Sequence, residues 1–166
     1  MAVHEHKHRP ARRLKVGVIT VSDSRTEATD DSGKLIREML SGAGHEVAYY
    51  EIMPDEPQRI AGAVRTHRAD LDAIVINGGT GISPRDQTYE AVKGLLDKEL
   101  DGFGELFRML SYQEIGSAAF LSRATAGVSG GKILVSLPGS PGACRLGVEK
   151  LLLPELVHMA NLLGLT

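Results

Sequence analysis

Asn77-Gly78-Gly79-Thr80-Gly81-Ile82-Ser83-Pro84-Arg85-Asp86-Gln87-Thr88 separates an apolar run, Ala73-Ile74-Val75-Ile76, from a helical pattern that begins near Tyr89. The apolar run reads as a buried strand. A glycine-rich turn between a strand and a helix is the connection of an open α/β sheet, where ligands bind beyond the C-terminal ends of strands. Three glycines within residues 78–81 let the backbone approach an anion closely, with N–H groups turned toward it. Asp86 would repel that anion unless a metal ion or a proton mediates. The same glycines also suit a plain tight turn, and so short a pattern does not decide between the two. The P-loop pattern G-x-x-x-x-G-K-[ST] and the dinucleotide pattern G-x-G-x-x-G are both absent. Thr80, Arg85 and Asp86 on one loop add weight to a site.

Outward from this turn the chain alternates strands and helices. Upstream, the near-continuous apolar run Leu14–Ser22 predicts a strand covered on both faces, ending in the polar loop Ser22–Thr26. A helix is expected over Ser32–Ala43, with Leu35, Ile36, Met39 and Leu40 inward. A second strand follows over Glu46–Met53. The turn Pro54–Pro57 then leads into a helix over Pro57–His67, with Ile60, Ala61 and Val64 inward. The third strand is Asp72–Asn77. Downstream, helices are expected over Thr88–Leu100 and Phe103–Leu110, and residues 117–131 read as irregular or a short hairpin. A strand over Lys132–Leu137 meets a second Gly/Pro turn, Pro138-Gly139-Ser140-Pro141-Gly142. The last helix runs from Pro141 to Leu163, with Pro154 as a point of kinking. This order predicts an α/β fold around a mainly parallel sheet with right-handed crossovers.

The chain has 166 residues, the size of one domain, expected over residues 14–166. A chain of that length buries about 70% of its unfolded surface, so no staple is needed. Cys144 is the one cysteine, which excludes an intrachain disulfide and points to the reducing cytoplasm. With 19 basic and 21 acidic residues the net charge is −2, which marks neither a nucleic-acid surface nor an acidic tail. Without Trp, stacking platforms for single strands are not expected. No apolar run approaches a membrane span, and the charged N-terminus lacks the apolar stretch of a secretory signal. Residues 1–13, rich in His and Arg, read as a disordered tail. His4, His6 and His8 alternate there, a spacing that binds metal weakly at best.

Four loops follow strands: Ser22–Thr26, Pro54–Pro57, Gly78–Thr88 and Pro138–Gly142. In a parallel sheet they emerge at one edge and converge on one crevice. Asp55 and Asp86 are its candidate metal carboxylates, because Mg²⁺ takes one or two carboxylates together with substrate phosphates. Asp55 and Asp23 also suit simple turn or cap roles. Ser22, Ser122, Arg123 and Ser140 have side chains able to bind an anion. Cys144 reads as a packing residue. His45 and His67 near helix ends read as dipole partners, and His158 has no evident partner. Neither Ser-His-Asp logic nor zinc-ligand spacing is present.

Taken together, Val18-Ile19-Thr20-Val21-Ser22-Asp23, Asp31-Ser32-Gly33, Ile52-Met53-Pro54-Asp55-Glu56, Gly78-Gly79-Thr80-Gly81 with Arg85-Asp86-Gln87-Thr88, Ser122-Arg123-Ala124 with Ala126-Gly127, and Leu137-Pro138-Gly139-Ser140-Pro141 resemble the MoaB/MogA family of molybdenum cofactor biosynthesis proteins. Gly102–Ser111 with Glu114-Ile115-Gly116 is similar to its MoaB branch. The resemblance implies a three-layer α/β/α molybdopterin-binding fold with a mixed, mainly parallel sheet, assembled as homotrimers or homohexamers. It implies molybdopterin and ATP as substrates, Mg²⁺ as cofactor, and adenylylation of the molybdopterin phosphate with release of pyrophosphate. On that resemblance Asp55 and Asp86 hold Mg²⁺, and Gly78, Gly79, Thr80, Gly81 and Arg85 surround the phosphate. Ser122, Pro138, Gly139 and Ser140 line the pterin side, and Thr20, Ser22 and Asp23 complete the floor. A non-catalytic molybdopterin carrier is the alternative. A scaffolding role is less suited to a chain without a linker or second domain.

Overall fold

A computed structural model describes residues 12–165. The tail expected over residues 1–13 lies outside them except for Arg12 and Arg13. Strands β1 (Lys15–Val21), β2 (Glu46–Met53), β3 (Ala73–Asn77), β4 (Lys98–Glu99), β5 (Thr125–Ser129) and β6 (Lys132–Leu137) form one sheet in the order β2-β1-β3-β6-β5-β4. The pairs β1–β2, β1–β3 and β3–β6 are parallel, and β5 runs antiparallel to both β6 and β4. The helices are α1 (Asp31–Gly42), α2 (Pro57–His67), α3 (Thr88–Lys93), α4 (Asp101–Ile115), α5 (Pro141–Leu146) and α6 (Leu153–Leu162).

Alternation along the central strands builds the layers. Val16, Val18, Ala73 and Val75 share one core with Ile36 and Leu40 of α1, Phe107 of α4, and Val148, Leu152 and Leu156 of the C-terminal helices. Ile19, Val21, Ile74 and Ile76 face the other way, onto Ile60 and Val64 of α2 and Val92 of α3. The sheet is therefore covered on both faces, which is why β1 and β3 read as unbroken apolar runs. At α1, Asp30 caps the helix by accepting from Gly33 N at 3.0 Å. At α2, Pro57 occupies the first turn, where its missing N–H costs nothing.

Three expectations change. The helix expected over Thr88–Leu100 stops at Lys93, with Gly94 closing it, and Lys98–Glu99 pairs with β5 as an edge strand. Residues 117–131, read as irregular or a short hairpin, contain the hairpin strand and, before it, a helical segment that was not expected. A 3₁₀ segment, Gly116–Leu121, leads into β5, and Gly130 and Gly131, at φ 56° and 76°, close a tight hairpin into β6. The C-terminal run contains a π-helical stretch, Gly147–Leu152, just before Pro154. The wider turn accommodates a ring that clashes with the carbonyl four residues back in a regular α-helix.

Consecutive strands β1 and β2 lie side by side, and the chain then crosses to place β3 on the other flank of β1. The loops after β1 and β3 thus part at a topological switch point, the place where open α/β sheets bind ligands.

Candidate functional site

Beyond the C-terminal ends of β1, β3 and β6 lies a crevice of about 550 Å³. Ten of the residues expected at the site line it: Ser22, Gly78, Gly79, Thr80, Gly81, Asp86, Ser122, Pro138, Gly139 and Ser140. Four expected residues do not: Thr20, Asp23, Asp55 and Arg85. Thr20 is fully buried below, where its hydroxyl accepts from Asn77 Nδ2 at 2.9 Å. Asp23 and Arg85 form an exposed bidentate ion pair at 2.7 and 2.8 Å. Arg85 is therefore engaged by a carboxylate and does not face the glycine turn as a free cation. That bond holds the Asp23 pKa below the ordinary carboxylate value.

The glycine turn takes a shape closed to other residues. Gly78 and Gly79 have φ of 102° and 67°. Gly78 N is held by Leu137 O at 2.9 Å, and Gly79 O accepts from Thr88 N at 3.1 Å. Among the described residues, the N–H groups of Gly79, Thr80 and Gly81 have no hydrogen-bond partner. Three successive donors beside a crevice make an anion cradle. The second Gly/Pro turn is pinned likewise, because Gly139 O accepts from Ser32 Oγ at 2.6 Å and Arg25 Nη2 at 3.1 Å.

Asp55 is buried after β2. Its oxygens accept from Gln87 N at 3.0 Å and Thr88 Oγ1 at 3.1 Å, so it clasps the far end of the 78–88 loop. Burial raises its pKa against the pull of those two bonds, and the negative charge of Asp86 adds to the rise. Asp55 lines a separate hollow of about 520 Å³ beside the start of α2, together with Arg59, Arg85 and Gln87. Asp86 lines the crevice, and its Oδ2 accepts from Ser83 N at 3.1 Å.

Sequence reasoning missed part of the wall. Phe107, Ser111 and Ile115 face the crevice from α4. Their i, i+4, i+8 spacing is a helical stripe, but the helix expected over Phe103–Leu110 stops short of Ser111 and Ile115. Among the residues lining the crevice, Arg25 is the one cation. It also pairs with the buried Asp30 at 3.6 Å. Arg123 grips the carbonyls of the glycine loop and so does not serve as a direct anion ligand. Other readings are settled in place. Cys144 is buried and donates to Pro138 O, with burial pushing its pKa up to about 12, so it is an inert packing group. His45 accepts from Leu14 N at 3.3 Å, and His67 lies in the last turn of α2, as expected, where it also stacks on Tyr49 at 3.8 Å. His158 has a partner in Glu155 at 3.0 Å.

The family model for a probable molybdopterin binding domain matches residues 17–158, which include every residue lining the crevice. The chain belongs to the MoaB/MogA family. Molybdenum cofactor biosynthesis protein B of Bacillus cereus is 52% identical over 162 residues, covering 96% of each chain. A crystal structure of a Molybdenum cofactor biosynthesis protein B superposes with a TM-score of 0.91 at 51% identity, covering 95% of this chain and all of the other. The tungsten cofactor synthesizing protein MoaB from Pyrococcus furiosus gives 0.81 at 43% identity, covering 90% of this chain and 96% of the other. The six-stranded mixed sheet of this chain is the MoaB fold. Among the described residues, no helix is long and apolar enough to cross a membrane.

Proposed function

We propose that the crevice binds molybdopterin and that the protein adenylylates its terminal phosphate with Mg-ATP. The observation that carries this reading is the cradle of three unpartnered N–H groups, Gly79 to Gly81, beside the Asp86 carboxylate. The cradle suits the phosphate, and the exposed Ile115 and Leu121 offer apolar surface to a pterin. A phosphate oxygen of molybdopterin attacks the α-phosphorus of ATP. The bond from that phosphorus to the β-phosphate oxygen breaks, and pyrophosphate leaves. The chain's contribution is to hold the phosphate in line and keep its negative charge satisfied by oriented donors.

The donor set fits Mg²⁺. Asp86 Oδ1 has no partner among the described residues, and Asp55 is a second carboxylate close enough to feel its charge. Among the described residues no group of three or more acidic, His or Cys side chains could hold a metal ion, so phosphates and water would complete the shell. Asp86 would hold Mg²⁺, the Asp55 charge would add to its attraction, and the ion would offset charge on the transferring group.

The test is pyrophosphate release from ATP with molybdopterin and Mg²⁺. Asp86→Asn is expected to lose about 10²-fold or more in turnover, in the range for removing a charge-stabilising group, while molybdopterin still binds. An unchanged rate would end the metal role. The engagement of both Asp55 oxygens by the loop favours a second reading, a carrier that binds molybdopterin without turnover. Saturable binding with no pyrophosphate release would select it. On either reading the protein works in the cytoplasm, as a homotrimer or homohexamer.

A further inference from the structure

Arg123 sits just before β5 and meets the glycine loop on its carbonyl side. Its Nε donates to Thr80 O at 2.9 Å, and its Nη2 donates to Gly81 O at 2.5 Å and Asp86 O at 3.4 Å. Its Nη1 pairs with Glu90, and its guanidinium carbon lies 4.9 Å from the Tyr89 ring centre. One side chain thus holds three carbonyls of one loop and is itself held from α3.

We propose that Arg123 is a positioning residue that sets the orientation of the anion cradle. A trans peptide turns its C=O and its N–H to opposite sides of one rigid plane, and among the described residues no peptide is cis. Fixing Thr80 O therefore fixes the N–H of Gly81, directed away from the guanidinium. Fixing Gly81 O does the same for the N–H of Ile82. Charge on the guanidinium also polarises those peptides and strengthens their N–H groups as donors. The requirement is geometric as well as electrostatic, because three carbonyls on a loop match a planar fork and not a single point charge. Glycine gives the loop its shape but also its freedom, and Arg123 removes that freedom where an anion would need fixed donors.

The inference rests on the molybdopterin reading of the crevice, so the experiment separates the two. Binding of molybdopterin to the full chain is measured for wild type, Arg123→Lys, and Arg123→Ala with and without added millimolar guanidinium. Thermal melting is recorded for each. Arg123→Lys keeps the charge and most of the stem but cannot fork. It is expected to bind molybdopterin roughly ten- to a hundredfold more weakly, the scale of losing one or two charge-assisted bonds, with a cooperative melt retained. Guanidinium is expected to restore binding to Arg123→Ala. If wild type binds and Arg123→Lys binds equally well, the positioning role is wrong and the site reading stands. A Lys variant that loses binding together with its cooperative melt, with no rescue of Arg123→Ala by guanidinium, also overturns it. If wild type itself does not bind, the site reading fails and this inference falls with it.

Discussion

Both oxygens of the Asp55 carboxylate are hydrogen-bonded to the 78–88 loop, so its first task is to hold that loop against β2. Asp55→Ala leaves Gln87 N and Thr88 Oγ1 without their acceptor. It is expected to lower stability by about 2–4 kcal/mol, from charged hydrogen bonds partly offset by relief of carboxylate burial. Asp55→Asn keeps one acceptor and removes the buried charge, so its loss should be smaller. Urea unfolding of both variants checks the order. His45 gives a pH prediction. Burial lowers its pKa below the ordinary 6.5, and its Nδ1 must stay unprotonated to accept from Leu14 N. The unfolded chain then binds more protons than the folded one just below 6.5, so stability is lost as pH falls through that window and regained above it. His45→Gln should flatten the difference in urea midpoint between neutral and mildly acidic buffer.

At the scale of elements, the C-terminal run is the most constrained piece. Gly147 opens the π-helical stretch against β6, and a Cβ there would stand 2.5 Å from Leu137 Cδ2. Gly147→Ala is expected to cost about 1–3 kcal/mol by overpacking, despite alanine's better helix propensity. Urea unfolding reads this directly, and a stabilised variant would refute the packing argument. The same scale shows which elements a sequence discloses. Strand β2 and helix α2 were legible to their ends, since their periodicity and the turn Pro54–Pro57 are local signals. Strand β4 was not, because two residues carry no periodicity and Lys98–Glu99 becomes a strand only by pairing with Val128 and Gly127. The crevice stripe Phe107, Ser111 and Ile115 was hidden because one helix serves the core and the site from adjoining faces.

Over the whole molecule, an exposed apolar face stands out. Leu106, Met109 and Tyr112 on α4 and Phe120 beyond it are all exposed, Phe120 by 75%. A face of this kind marks an interaction surface, and a homotrimer or homohexamer would cover it. Light scattering on the eluted protein should give three or six times the mass of one chain. The pair Met109→Glu and Tyr112→Glu should shift it toward one chain with helical content retained. An unchanged assembly would place the contact elsewhere. The sequence by itself determined the alternation of strands and helices, the glycine turn at the end of β3, and the family. The first two follow from periodicity and from residue types at short spacing, which act within one element, and the family follows from the resemblance of motifs spread along the chain. Only the tertiary structure decided that Asp55 clasps Thr88, 33 residues away, and that Arg123 grips carbonyls 37, 42 and 43 residues before it. It also decided that Arg85 faces Asp23 and not the cradle. Such pairings depend on strand register and on the crossover that brings distant loops to one edge, and no local pattern carries that information.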